Sequence, residues 1–495
     1  MQFATDGYVL QGNTGSDALT LVGAPVAGGG PNEAIIRVGA GSADGATYAA
    51  AITAVLDGAA KLVKTDLGTL VLAGANTYSG GTAINGGALQ VTQDNNLGAA
   101  SGALSLDGGT LRAAGSFSTG RATTLGAGGG RFEVTGANAL TLTSAVMGSG
   151  ALGKLGSGTL TLAADNGYTG GTTITAGTLQ LGSGAGGSAT GSLLGDVANN
   201  GTLAFNRSNA YTYTGVVSGS GSVVQQGSGT TVLTGTNTYT GGTTVSAGTL
   251  QLGAGGATGS LVGDVANNGA LAFNRSDTYT FGGLVSGGGT VSQNGSGTTV
   301  LTANNAYTGG TSITAGTLQL GAGGATGGIV GDVANNGALV FNRSDTYTFG
   351  GQVSGGGSVS QIGSGTTVLT GANTYTGGTT ITAGTLQLGA GGPTGSIVGN
   401  VSNNGTLAFN RSDGYLFGGL ISGGGGVNQL GTGTTILTAN NTYTGGTTIT
   451  SGTLQLGNGG TSGGLQGDVV NNGVLVVARS DQVMLNDVIS VSYTH

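Results

Sequence analysis

The sequence predicts an all-β chain coiled into a β-solenoid, and three observations predict it. First, Asn199-Asn200-Gly201 returns as Asn267-Asn268-Gly269, Asn335-Asn336-Gly337, Asn403-Asn404-Gly405 and Asn471-Asn472-Gly473, always 68 residues on. A fixed long period means one structural unit stacked on copies of itself. Second, Gly is 112 of 495 residues while Pro is only 3, which excludes collagen, where Pro is plentiful and Gly fills every third position. Third, the remaining Thr, Ala, Leu, Val and Asn alternate in short runs, the mark of brief strands joined by tight turns.

The elements follow in order. Residues 1–60 are read as a diverged β-helical segment; Tyr48–Leu56 has helix propensity, but Gly41, Gly45 and Gly58 bracket it closely enough to favour strands. Residues 61–185 carry two diverged copies of a regular block, around Tyr78 and Tyr168. Residues 186–457 are four 68-residue repeats, with the block at Tyr239, Tyr307, Tyr375 and Tyr443, and residues 458–495 begin a fifth. Within the block, Thr379-Thr380-Ile381-Thr382 and Thr385-Leu386-Gln387-Leu388 alternate with period two, so one strand face is apolar. Gly241-Gly242 and Gly377-Gly378 supply turns between such strands. Strands this short reach stability by coiling, each coil pairing with the next. Large right-handed β-helices spend about 20–25 residues per coil, so 68 residues correspond to about three coils of about 23.

Composition narrows the function. Charged residues are 6 % of the chain, the net charge is −7, and the only lysines are Lys61, Lys64 and Lys154. Nucleic-acid binding needs a basic patch, and none is present. With no cysteine and a single histidine, His495, no zinc site is expected, and no cofactor or metal is expected elsewhere. The Gly-rich turns lack the carboxylate of calcium-binding nonapeptides. Gly148–Leu155 nearly fits a phosphate loop, but Leu155 stands where Ser or Thr is required.

The Asn-Thr-Tyr-Thr-Gly-Gly-Thr-Thr-Ile block resembles the autotransporter-associated β-strand repeat, also called the passenger-associated transport repeat. The likeness is strong at Gly371–Gly389 and Gly235–Gly253, and clear at Gly74–Val91, Ala164–Gly182, Ala303–Gly321 and Ala439–Gly457. It implies a right-handed parallel β-helix and a non-enzymatic passenger displayed at the cell surface or extracellularly, associated with the outer membrane. The role implied is a stalk or adhesion scaffold that assists its own export. The partners implied are a host or cell-surface protein or a glycan. The start Met1–Gly7 shows neither a basic nor an apolar leader segment. Strands of a C-terminal barrel are also not seen, so membrane association is expected only through a barrel outside this chain, and the chain is read as a passenger piece. Unpaired strand edges lead us to expect end-to-end self-association. On this reading Tyr78, Tyr168, Tyr239, Tyr307, Tyr375, Tyr443, Gly241, Gly242, Gly377 and Gly378 are structural motif residues, and no residue is nominated as catalytic.

The alternative is a carbohydrate-active β-helix enzyme, a polysaccharide lyase or glycosidase, with its site in the diverged N-terminal third. A glycosidase needs two carboxylates about 5–9.5 Å apart, and Asp94, Asp107 and Glu133 are the upstream acids to inspect. Downstream, the acids recur as Asp196, Asp264, Asp332 and Asp468, with Asn400 in the fourth place, and as Asp277, Asp345, Asp413 and Asp481. Asp277, with Arg275 two residues before it, reads as a surface Asp–Arg pair at a turn, and the series Arg207, Arg275, Arg343, Arg411 and Arg479 reads as architecture or a multivalent weak surface. Phe205, Phe273, Phe341 and Phe409, replaced by Val477, read as stacked core or near-core aromatics, with carbohydrate stacking as the lesser alternative.

Overall fold

The computed structural model describes residues 1–12, 17–26, 31–184, 188–483 and 488–491. They form two compact units, Met1–Leu250 with Gly259–Val262, and Gln251–Thr258 with Gly263–His495. Each is a parallel β-solenoid.

In the first unit, strands of two to six residues pair in parallel with the coils before and after. Alternation sets the inward face. Leu70, Leu89, Leu111 and Phe132 stand in register on successive coils, all fully buried. Leu140, Leu160, Leu179, Leu203 and Val223 form a second such stack. Each buried side chain of this size stabilises the fold by about 1.5–3 kcal/mol. Ala49–Ile52 and Val55–Asp57 are strands, so ladder pairing overrides helix propensity there. Two short 3-10 turns, Ala43–Thr47 and Asp94–Leu97, interrupt the strands.

In the second unit the register gives the coil length directly. Thr298 pairs with Thr317, Thr317 with Ala338 and Ala338 with Ser358; the widest strand-ladder step is Thr311 to Val333, and isolated bridges such as Asn304 to Gly328 are wider still. Coils therefore take 19–24 residues, most of them shorter than the 23 expected, because strands of two to four residues meet at corners of only a few. One ladder can be followed from Val265 through Val285 and Ala306, across the Asn304–Gly328 bridge. Gly328 lies against the Tyr347 ring, and the ladder resumes at Thr346, passes Thr366, Thr385, Thr406 and Gly426, and runs by Thr447 to Val469. This path crosses about ten coils at the strand spacing of a solenoid. Since Val265 and Val469 are three repeats apart, each 68-residue repeat advances about three and a third coils.

That fraction rotates the repeat. Val265–Asn267, Val333–Asn335 and Val401–Asn403 are equivalent in sequence but belong to three different sheets, and Val469–Asn471 returns to the first face. The stacked-phenylalanine expectation is corrected by the same fact. Phe205, Phe273, Phe341 and Phe409 are fully buried core residues, but copies in successive repeats do not stack. Each packs within its own repeat, as Phe341 does on Tyr347 and Phe349 with ring centroids 6.1 Å apart.

Candidate interaction surface

The regular block is a corner held from inside. Tyr78, Tyr168, Tyr239, Tyr307, Tyr375 and Tyr443 are fully buried. Each phenol meets the hydroxyl of the threonine four residues on, at 2.6–2.8 Å. Burial pushes the phenols of Tyr168, Tyr307 and Tyr375 up, and those of Tyr78 and Tyr443 up to about 12, so these stay neutral hydrogen-bonding groups. The two glycines of the corner differ in purpose. A Cβ on Gly377 would come within 2.5 Å of Gly357 backbone on the coil below, and one on Gly241 within 2.6 Å of Gly221. Gly378 and Gly242 instead have φ of +83° and +80°, a conformation that costs other residues more.

An asparagine two residues before every one of these tyrosines was not singled out in the sequence. In Asn373 the side-chain oxygen accepts the Val353 N–H at 2.8 Å, while the amide donates to Gly371 O at 3.0 Å and Ser396 O at 2.9 Å. One side chain therefore ties three coils together. Asn166, Asn237, Asn305 and Asn441 repeat all three bonds, and Asn76 repeats the pattern with Asn96 O as an acceptor. Its fixed offset from the tyrosine was the signal that could have found it.

Fourteen residues before the tyrosine the interior again carries a polar group. Gln361 donates to Gly363 O at 2.8 Å and accepts from Thr367 at 2.7 Å. In the two upstream blocks this place belongs to Lys64 and Lys154, both fully buried. Lys154 Nζ reaches Leu155 O, Gly156 O and Ala176 O at 2.7–3.1 Å. Burial lowers both ammonium groups to about 8, against a smaller opposing pull from Asp66 at Lys64 and Glu133 at Lys154. Lys154 of the phosphate-loop-like stretch thus points into the core, where it serves the turn.

The arginine series is architectural, and the surface-pair reading of Arg275 with Asp277 is corrected, because the arginine is buried. Arg343 is 5 % exposed and holds Asp345 through two bonds of 2.9 and 2.8 Å. It also donates to Ala325 O at 2.6 Å, Gly327 O at 2.9 Å and Asn304 at 3.0 Å, with its guanidinium 4.7 Å from the Tyr347 ring centroid. Planar five-donor geometry suits arginine to this work, and it pins the Gly-rich loop that precedes it. Arg411 grips Pro393 O and Gly395 O likewise, and Arg275 grips Ala257 O. Arg121, outside the series read from sequence, clamps the Asp94–Leu97 turn through Asp94, Ala99, Gly98 and Gly102. The bonded arginines hold the carboxyls of Asp277, Asp345 and Asp413 below the usual range.

The remaining acids are engaged separately. Asp196, Asp264, Asp332 and Asp468 each accept the backbone N–H of the residue 20 positions on, at 2.8–3.1 Å, and Asn400 does so at 2.9 Å. The position asks for an acceptor and not a charge, which is why Asn can fill it. Upstream, Asp94 pairs with Arg121, Asp107 accepts the Gly128 N–H at 2.6 Å, and Glu133 pairs with Arg112 at 2.7 Å. The structure therefore gives the three inspected acids three different partners. Among the described residues no group of three or more His, Cys, Asp or Glu converges on a common point.

The loops pinned by arginine recur on the surface. Residues 254–258, 322–326, 390–394 and 458–462 each hang from the following coil by the same contacts. In the second, Gly323 N–H donates to Asn342 O at 2.8 Å, and Ser344 N–H donates to Gly324 O at 3.0 Å. They are preorganised projections on a rigid scaffold, the arrangement in which loops carry recognition.

Comparison with known proteins agrees with the geometry. The passenger-associated transport repeat matches at residues 62–91, 152–181, 223–252, 291–320, 359–388 and 427–456. Over 225 residues the chain is 36 % identical to an adhesin, the BmaC autotransporter of Brucella suis biovar 1 (strain 1330), a match covering 46 % of this chain and 6 % of that protein. No solved structure matches.

Proposed function

Since this chain is an autotransporter passenger segment bearing six passenger-associated transport repeats, we propose that it serves at the cell surface as an adhesive scaffold whose stacked coils also help it through export. One observation carries the reading: in five of the six blocks an asparagine binds the coil before, its own coil and the coil after, and in the first block Asn76 binds the coils on either side. A coil emerging from a pore can therefore be captured by its predecessor, without waiting for distant sequence. The adhesin name of the relative supports attachment as the task. The pairing of Asp94, Asp107 and Glu133 with structural partners supports a non-catalytic role over a carbohydrate-active enzyme.

The test is surface display of the passenger in its natural outer-membrane context, with and without Asn237→Ala, Asn305→Ala, Asn373→Ala and Asn441→Ala together. Surface-exposed protein and attachment to cultured host cells are measured. The reading expects display to fall severalfold, with attachment per displayed molecule kept. Undiminished display would refute the export part, and absence of attachment by displayed wild-type protein would refute the adhesive part.

A further inference from the structure

Four loop tips carry a glycine that the fold does not demand. In Gly255-Gly256, Gly323-Gly324, Gly391-Gly392 and Gly459-Gly460 the first member has φ between +84° and +88° and needs glycine. The second has no such φ, and a Cβ built on Gly256, Gly324, Gly392 or Gly460 would meet nothing within 4 Å. Flanking positions vary among the loops: Ala322 becomes Asn458, and Ala325 becomes Pro393 or Thr461. The second glycine does not vary. Neither backbone conformation nor internal packing accounts for it, whereas close approach of another molecule to bare peptide does.

We propose that these tips are contact points for an uncharged polysaccharide, an inference that rests on the adhesive reading above and names its site. The tips contain only Gly, Ala, Thr, Ser, Pro and Asn, and the nearest charges, such as Arg343 and Asp345, neutralise each other. Exposed peptide groups and hydroxyls match the donors and acceptors of sugar hydroxyls. An exposed valine follows six residues after two of the tips, at Val330 and Val398, and offers apolar surface to sugar C–H faces. The rotation of the repeat selects a flexible polymer. Within the second unit successive tips stand on successive faces, about 16 Å apart along the axis at about 4.8 Å per coil. A flat rigid partner meets one tip in three, about 48 Å apart on the same estimate. A polymer that winds round the solenoid meets each in turn and gains avidity with length.

The experiment uses the full chain and a variant in which Gly256, Gly324, Gly392 and Gly460 are all replaced by Gln. Binding to immobilised dextran, mannan and laminarin is compared with binding to heparin and to a fibronectin-coated surface, and circular dichroism and thermal melting are recorded for both proteins. The expected result is binding of the wild type to a neutral polysaccharide, strengthening with polymer length. The variant should lose about tenfold or more of that affinity with its melting unchanged. Equal binding by the variant overturns the tip assignment. Binding to heparin or fibronectin alone, or to no polymer, overturns the partner class. If the wild type still attaches to host cells in those cases, the adhesive reading stands and only this inference falls.

Discussion

Replacing Asn373 by Ala removes a single small, uncharged side chain yet should be among the most damaging changes in its repeat. Three backbone groups lose their partner: Val353 N–H, Gly371 O and Ser396 O. The residue is 1 % exposed, so water does not simply replace the amide. A buried polar group left unpaired costs about 1–3 kcal/mol. Partial relaxation at two of the three sites leaves about 3–5 kcal/mol, the loss falling on three neighbouring coils. Because repeat arrays unfold in segments, a single global midpoint would dilute the effect. Native-state hydrogen exchange is the right assay, since local opening is read amide by amide. Amides from about residue 353 to 396 should lose protection by roughly a hundredfold or more, as 1.4 kcal/mol is tenfold, with those beyond residue 440 little changed. A uniform loss below about 1 kcal/mol would show that Asn373 does not tie the coils together.

Three further outcomes follow from the same geometry. Lys64→Gln with Lys154→Gln should flatten the pH dependence of the first unit. With the folded lysines at about 8 and a reference of 10.5, the unfolded chain binds more protons between those values, so wild-type stability should rise with pH across that window. Below pH 8 the double variant should be the more stable, by about 1–2 kcal/mol per site after allowing for solvent screening; urea titrations at pH 7 and 10 check this, and an unaltered pH profile would refute it. Gly377→Ala should destabilise through backbone collision and Gly378→Ala through its positive φ, by at least about 1 kcal/mol each, whereas Gly324→Ala should be near neutral in the same denaturation assay. Arg343→Lys should loosen the loop at 322–326 and raise exchange at Ser344 N–H, because a single ammonium cannot replace the forked contacts to Asp345, Ala325 and Gly327; retention of wild-type protection there would contradict the clamp.

The fold was legible because two signals survive in every repeat. The alternation at Thr385–Leu388 places Leu386 and Leu388 inside, as a period-two reading requires. The fixed spacing of the tyrosines marks equivalent corners. Coil length was less legible, since turns vary by one to three residues and no single spacing announces the 19–24 residue step. That small difference turns three coils into three and a third, and with it the faces rotate. The polar interior was least legible. Arg343 reads as a surface residue by type, and only the carbonyls of the neighbouring loop make it a buried clamp. Lys154 likewise reads as exposed by type, and its register with Ile174 puts it on the inward face. Asn373 could have been found by its constant offset from Tyr375, but its reach into two other coils is a property of the stack.

The rotation of the repeat can be measured directly with spin labels, because the chain has no native cysteine. Ser292 and Ser354 lie on one ladder, through Ser312 and Ala334, three coils apart. Ser286 and Ser354 are equivalent positions one repeat apart, in different sheets. The account predicts that a 292/354 pair reports the shorter distance, with backbones separated by about 14 Å at about 4.8 Å per coil, and that a 286/354 pair is longer. A shorter distance for 286/354 would mean whole coils per repeat and equivalents stacked on one face, contradicting the account.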